Sequence, residues 1–319
     1  MPVVQNSHRI AVNSSANGVS FSFASYVSPN TYADAGFAPT QGFVFVHGQN
    51  RDADEMVNAF KAAVPKAVSA GFISQAGDAV LLAPVFAHAE DTAKQLFPSA
   101  LTWCGNDWMQ GLDSPSAAVS SFDVLTGAFK WLATTYPSIK TFVLVGHSAG
   151  GQTVQRYTVV NPSTSSPSRY IIANPSSVAY FTAERPNCTV SSSCTCTAPG
   201  YTQCCSSFNE WKYGLDDYTP RFEHAAMTAS NHTSVINRYI GRTVHYLYGT
   251  ADSAGQTNGC ESNAQGLGHF DRGQKWWTYL TAHWPSVTST QTKDNVQGIG
   301  HDGVGMLSST EGVQRLFQS

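Results

Sequence analysis

The sequence predicts an α/β fold, a mostly parallel twisted sheet with helices on both faces. Three observations predict it. Continuous apolar runs at 42–47, 79–86 and 141–146 have strand length and suit strands buried on both sides. Segments with helical spacing lie between them. One run, Thr141-Phe-Val-Leu-Val, ends abruptly at Gly146-His147-Ser148-Ala149-Gly150, and a helix-compatible segment, 152–160, follows directly.

The elements follow in order. Residues 9–12 and 19–27 read as an antiparallel pair joined by a turn at Asn13–Gly18, the second arm largely alternating apolar and polar. The run 42–47 is the first buried strand. Met56, Val57, Phe60, Val64 and Val68 mark a helix over 54–70, with Pro65 a site for a kink and Gly71 a stop. The strand 79–86 leads into a polar excursion, 88–115, and a helix over 120–136. After the strand 141–146 and its helix comes a strand at 169–173. Residues 175–225 lose all periodicity and are rich in Ser, Thr, Pro, Tyr and Cys. A helix at 231–239, a strand at 243–248, a helix at 274–284, a strand near 293–296 and a helix at 309–317 close the chain. The expectation is a single domain, 1–319, carrying 175–225 as a cysteine-rich insertion after the 169–173 strand.

Bulk composition narrows the class. Hydrophobic residues make up 42% of the 319, enough for a large core. Charged residues are only 12%, and the net charge of −3 comes without a basic block, which argues against a nucleic-acid partner. No apolar run reaches the roughly 18 residues that cross a bilayer. Of seven cysteines, Cys188, Cys194, Cys196, Cys204 and Cys205 crowd together, while Cys104 and Cys260 stand apart. Their spacing lacks paired C-x₂-C ligands, so disulfides are favoured over zinc, with up to three bridges and one thiol left over. That usage points to secretion. Sequons at Asn13, Asn187 and Asn231 fit a secreted glycoprotein. The N-terminus, Met1-Pro-Val-Val-Gln-Asn, has no signal-peptide character; a replaced leader and a cytosolic protein both stay open, and the cysteines favour the first.

Chemistry concentrates at strand ends. Ser148 sits where a strand-to-helix turn exposes a nucleophile. Asp252 follows the 243–248 strand, and His301, in Gly300-His301-Asp302, follows the last one. A serine hydroxyl needs a base to take its proton, and an imidazole needs a carboxylate to fix its tautomer. Asp216, Asp217, Asp271 and Asp294 compete for the carboxylate role. The first two sit in the insertion, Asp271 lies farther from a strand end, and Asp294 is too close in sequence to His301. His147 is expected to pack locally, and Asp302 to cap or orient its loop.

These pieces carry a resemblance. Val46-His47-Gly48-Gln49-Asn50-Arg51, Trp103 with Trp108 and Gly111, Gly146 to Tyr157, Asn174-Pro-Ser-Ser177 and Gly300-His301-Asp302 together resemble the serine-dependent α/β-hydrolases over residues 19–318. Within them the chain is similar to a little-characterised group of secreted hydrolases. The resemblance implies the α/β-hydrolase fold and a Ser148–Asp252–His301 triad. It implies an oxyanion hole from the N–H groups of Ala149 and Gln49, with Asn50 the near alternative. Each such donor is worth about 3 kcal/mol of transition-state stabilisation.

The expected activity is that of a secreted serine esterase acting on a neutral or aromatic ester, small or polymer-attached, with no cofactor and no metal. Lipase, thioesterase and peptidase chemistry share the same three residues. The insertion is too polar to suggest a lipase lid. A non-catalytic binding protein on the same scaffold is the alternative of a different class, and a metallohydrolase is a third. Arg51 is a candidate substrate contact, with an ion pair to Asp52 or Asp54 the preferred alternative. Trp103 and Trp108 either line a pocket or pack the excursion onto the sheet.

Overall fold

In the computed structural model, which describes residues 1–163, 167–191, 194–229, 232–255 and 259–318, the apolar runs become the centre of one eight-stranded sheet. Its strands are β1 (His8–Ala16), β2 (Val19–Ser28), β3 (Gln41–Val46), β4 (Ala79–Pro84), β5 (Thr141–His147) and β6 (Arg169–Ala173). A separate hairpin, β7 (Thr189–Ser191) with β8 (Cys194–Thr197), lies in the insertion, and β9 (Val244–Gly249) and β10 (Gln291–Val296) complete the main sheet. The order is β1-β2-β4-β3-β5-β6-β9-β10. β2 runs antiparallel to both neighbours, and every other adjacent pair is parallel.

The helices are α1 (Ala53–Ser69), α2 (Thr92–Leu96), α3 (Ser121–Thr135), α4 (Ala149–Val160), α5 (His224–Met227), α6 (Thr233–Ile240), α7 (Cys260–Gln265), α8 (His269–His283), α9 (Gly303–Leu307) and α10 (Thr310–Phe317). Period-two side chains divide the core between the two faces of the sheet. Phe43, Phe45, Leu81, Val143 and Val145 pack beneath α1, α9 and α10. Val44, Val46, Val80, Leu82 and Leu144 meet α3, α4, α6 and α8 on the other face. Each such buried side chain contributes roughly 1.5–3 kcal/mol, which is why these runs carry no polar alternation. Among the described residues no helix is long and apolar enough to cross a membrane.

Two helix starts differ from expectation. α4 begins at Ala149, three residues early, because Ser148 itself occupies the N-cap position. α8 begins at His269 and not Gln274; its first turn is polar and therefore outside the apolar periodicity, and Gly268 at φ 83° starts it. The short helices α7 and α9 carry no periodic signal at all. α1 runs through Pro65, whose ring lies on the exposed side.

The insertion is stapled. Cys188–Cys196 and Cys194–Cys204 close loops within it, and Cys205–Cys260 ties it to α7. Cys104 is the leftover thiol, exposed and unpaired, so it drops out of the bridge candidates. Trp211 Nε1 in the insertion donates to the Gln110 carbonyl of the excursion (2.8 Å), joining the two segments. Of the sequons, Asn13 is exposed on β1, while the Asn187 amide donates to Asn263 and its oxygen accepts from Lys275. Asn231 lies outside the described residues.

Candidate active site

Ser148 sits at φ 58° and ψ −121°, a backbone conformation that a non-glycine residue keeps only when its surroundings impose it. They do. Its N–H donates to the Ala173 carbonyl of β6 (3.0 Å). The turn also passes so close to the sheet that a Cβ on Gly146 would lie 2.2 Å from the Gly150 carbonyl oxygen, and one on Gly150 2.1 Å from that of Val46. Small residues at both positions are thus a steric requirement of the turn. Ala149 opens α4, so its N–H has no acceptor within the helix and faces out of the turn.

The structure brings Asp252 and His301 to Ser148. His301 Nε2 lies 2.8 Å from Ser148 Oγ, and His301 Nδ1 lies 2.7 Å from Asp252 Oδ2. Loop hydrogen bonds set these positions: Ala251 N–H donates to Ile299, Thr250 N–H donates to Val296, and Asn174 Nδ2 donates to the Gly300 carbonyl, all within 3.0–3.2 Å. Asn174 Oδ1 also accepts from Gly249 N–H (2.9 Å), so one amide links the ends of β6 and β9 with the loop that carries His301. The competing aspartates are engaged elsewhere. Asp216 accepts from Asn209, Asp271 pairs with Lys275, and Asp294 pairs with Arg315, while Asp217 lies exposed in the insertion. Asp302 is the N-cap of α9, accepting from Gly305 N–H.

Electrostatics set the proton positions. Burial pushes the Asp252 carboxyl up, but hydrogen bonds from His269 and His301, with their fields, outweigh it and hold the group well below the usual carboxylate range. Facing an ionised oxygen, His301 Nδ1 carries the proton and donates. Its Nε2 then accepts the Ser148 hydroxyl proton. His147 is buried with its ring 4.7 Å from that of His301, and burial, then the field of His301, pushes it down to about 3, so it stays neutral. It packs on the imidazole, as its place in the motif leads one to expect.

The loop after β3 is organised by His47. Phe86 N–H donates to His47 Nε2 (3.0 Å), which leaves the proton on Nδ1 to be donated to the Gly48 carbonyl (2.8 Å). Burial lowers this ring to about 4, keeping it neutral. The Gly48 carbonyl also accepts from Arg51 N–H (3.1 Å). In a planar trans peptide the N–H points opposite to the carbonyl, so fixing the Gly48 oxygen fixes the direction of the Gln49 N–H. Asn50 and Arg51 instead line a cleft of 290 Å³ with Asp52, Asp54 and Asp91, in which neither Ser148 nor His301 takes part.

One expectation needs correction here, and one choice left open is decided. Arg51 is paired, but with Asp91 (Nε to Oδ2 2.7 Å, Nη2 to Oδ1 3.1 Å) and not with Asp52 or Asp54; its positive φ of 62° turns it toward the start of α2. With Nε and Nη2 engaged in that fork, Arg51 loses its case as a substrate contact. Trp103 and Trp108 are 2% and 0% exposed, Trp108 stacking on Phe86 and lying 4.6 Å from the His47 ring. They pack the excursion onto the sheet and buttress His47. Their large aromatic surface is as useful for packing as for binding, which the sequence alone could not separate.

His269 is the residue that sequence reasoning missed. Its Nδ1 lies 3.1 Å from Asp252 Oδ2 and 3.0 Å from His301 Nδ1. It sits in a polar first turn introduced by Gly268, seventeen residues beyond Asp252, where only the glycine hinted at a helix start. Asp252, His269 and His301 are also the donors that could ligate a metal ion. Cys205 and Cys260 beside Glu261 could not, since their sulfurs are bonded to each other.

No protein-family profile matches the chain, and comparison with curated proteins gives no match. Solved structures do match. Poly(aspartic acid) hydrolase-1 from Sphingomonas sp. KT-1 is similar with a TM-score of 0.62 and 18% identity, over 97% of this chain and 98% of that one. LpqC, the poly(3-hydroxybutyrate) depolymerase from Bordetella parapertussis, gives 0.59 and 18%, over 94% and 87%. The siderophore hydrolase EstB from Aspergillus nidulans gives 0.51 and 12%, over 100% and 97%. At these identities the likeness is one of fold, and the chain has the α/β-hydrolase fold.

Proposed function

We propose that, on this α/β-hydrolase fold, the chain is a secreted serine hydrolase that cleaves carboxylic esters through an acyl-Ser148 intermediate. The observation that carries the reading is the unbroken chain from Ser148 Oγ through His301 to Asp252, at 2.8 and 2.7 Å, ending on a serine whose backbone is held at positive φ. Ser148 Oγ attacks the ester carbonyl carbon while His301 Nε2 takes its proton. The oxyanion so formed faces the N–H groups of Ala149 and Gln49. Collapse expels the alcohol, which His301 protonates. Water, deprotonated by the same ring, then attacks the acyl carbonyl, and its collapse returns Ser148 and a carboxylic acid. Asp252 fixes the tautomer and stabilises the imidazolium.

A neutral or aromatic ester is the substrate class, since the surface has few charges and Arg51, the nearest cation on the loop, is paired. One of the similar structures bears the name of a polyester depolymerase, which supports a polymer-attached ester as readily as a small one. Three disulfides support an extracellular setting. A panel of p-nitrophenyl esters graded by acyl length, beside feruloyl, acetyl-sugar and polyester substrates, tests the reading. Wild type is expected to turn over at least one class, and Ser148→Ala to lose about 10⁴-fold or more in kcat. Turnover that survives both Ser148→Ala and His301→Ala would sink it.

A further inference from the structure

Asp252 serves two histidines. Its Oδ2 lies 2.7 Å from His301 Nδ1 and 3.1 Å from His269 Nδ1, and its Oδ1 accepts from Ala254 N–H (3.0 Å). Because the carboxylate is ionised, a bare Nδ1 on His269 would set lone pair against negative charge, so His269 also carries its proton on Nδ1 and donates. Two imidazole N–H groups therefore converge on one oxygen, their nitrogens 3.0 Å apart. His269 also packs against the His301 ring, ring centres 4.4 Å apart, and His147 packs against it at 4.7 Å. Both neighbouring rings restrict the space open to the His301 imidazole.

We propose that His269 is a positioning residue for the base: it shares the Asp252 carboxylate, packs against the His301 ring, and so sets the pH range over which His301 works. The proposal rests on the triad reading above. The groups facing His269 are Asp252, His301, His147 and, one turn along α8, Arg272, whose Nη2 donates to the Gly255 carbonyl (2.6 Å) beside the ring. Burial lowers the proton affinity of His269, with His301 and Arg272 adding to it against the pull of Asp252. The N-terminus of α8, where His269 is the first residue, further disfavours a cation. His269 thus stays a neutral donor while His301 takes up and releases its proton. Part of the Asp252 acceptor strength is spent on it. Without it, the whole carboxylate faces His301, the imidazolium is better stabilised, and the acid limb of activity moves up in pH.

Three variants test this, each followed by the pH dependence of ester turnover and of fluorophosphonate labelling. His269→Phe keeps a ring and removes the donor. It is expected to lower kcat roughly 10- to 100-fold with KM changed little, and to raise the acid limb by roughly half a pH unit or more. His269→Asn places an amide N–H where Nδ1 was and should return the limb to within a few tenths of wild type. His269→Gln moves that amide one bond away and should behave like His269→Phe, and it carries the test should the phenylalanine variant fail to fold. In the resting enzyme, wild type should show, besides the His47 N–H bonded to Gly48, two downfield imidazole N–H resonances from donors to Asp252, and His269→Phe or His269→Gln one, shifted. An acid limb identical in all variants, or a single such resonance in wild type, would overturn the role of His269 while leaving the hydrolase reading intact. A folded wild type that neither labels nor turns over substrate would instead bring down the hydrolase reading and the role of His269 with it.

Discussion

The positive φ at Ser148 costs of order 1–3 kcal/mol in isolation, and the turn holds it because its neighbours leave no room for anything else. Gly150→Ala would force a methyl to within 2.1 Å of the Val46 carbonyl oxygen. The expected result is a drop in melting temperature together with at least a hundredfold loss of activity, read by calorimetry and turnover. His47→Leu acts differently. It removes the donor that fixes the Gly48 carbonyl and strands the buried Phe86 N–H, at a stability cost of about 1–3 kcal/mol. With Gln49 N–H no longer aimed, kcat should fall by about 10²-fold while KM stays within a few fold. A fall in kcat with a large rise in KM would point to general loosening of the site instead. Ser148 was legible as a candidate because an apolar strand precedes it, and Asp252 and His301 because each lies among small residues after a strand, although the strand before His301 is largely polar. His269 and the positioning roles of His47 and Asn174 were not, since a hydrogen bond from a side chain to a backbone amide or carbonyl leaves no periodic trace.

Strands and long helices announced themselves because burial on both sheet faces demands continuous apolar runs from the one and a stripe from the other. The segments that position the site did not. The first turn of α8 is mostly polar because His269 meets Asp252, and α9 is five residues capped by Asp302. The disulfides were legible as a count but not as a connectivity, since five clustered cysteines permit many pairings. Cys205–Cys260 spans 55 residues and joins the insertion to the helix preceding α8. Loop-closure entropy gives it roughly 4 kcal/mol, the largest share of the three. The double variant Cys205→Ser/Cys260→Ser should lose about 2–4 kcal/mol in urea unfolding. Thiol titration of the unreduced, unfolded protein should find one reactive sulfur, Cys104; several would contradict the stapled insertion.

Across the whole molecule, neutral buried histidines tie stability to pH. His47 and His147 take a proton near pH 6.5 in an unfolded chain, but burial holds them at about 4 and about 3 in the fold. Between those values the unfolded state binds more protons, so stability falls as pH falls from 6.5, by up to about 1.4 kcal/mol per pH unit for each. Asp252 adds to this below about pH 4, because its folded carboxyl titrates well below an unfolded one. Urea midpoints at pH 7, 6 and 5 should decline steadily, and His147→Phe should flatten the decline; midpoints independent of pH would contradict neutral burial of these rings.

The proposed function turns on one serine. Its reactivity is most directly read by intact-mass spectrometry after treatment with a fluorophosphonate. Folded wild type is expected to gain a single adduct, mapped to Ser148, and folded Ser148→Ala to gain none. No adduct on wild type, or an equal adduct on Ser148→Ala, would contradict the assignment of Ser148 as the nucleophile.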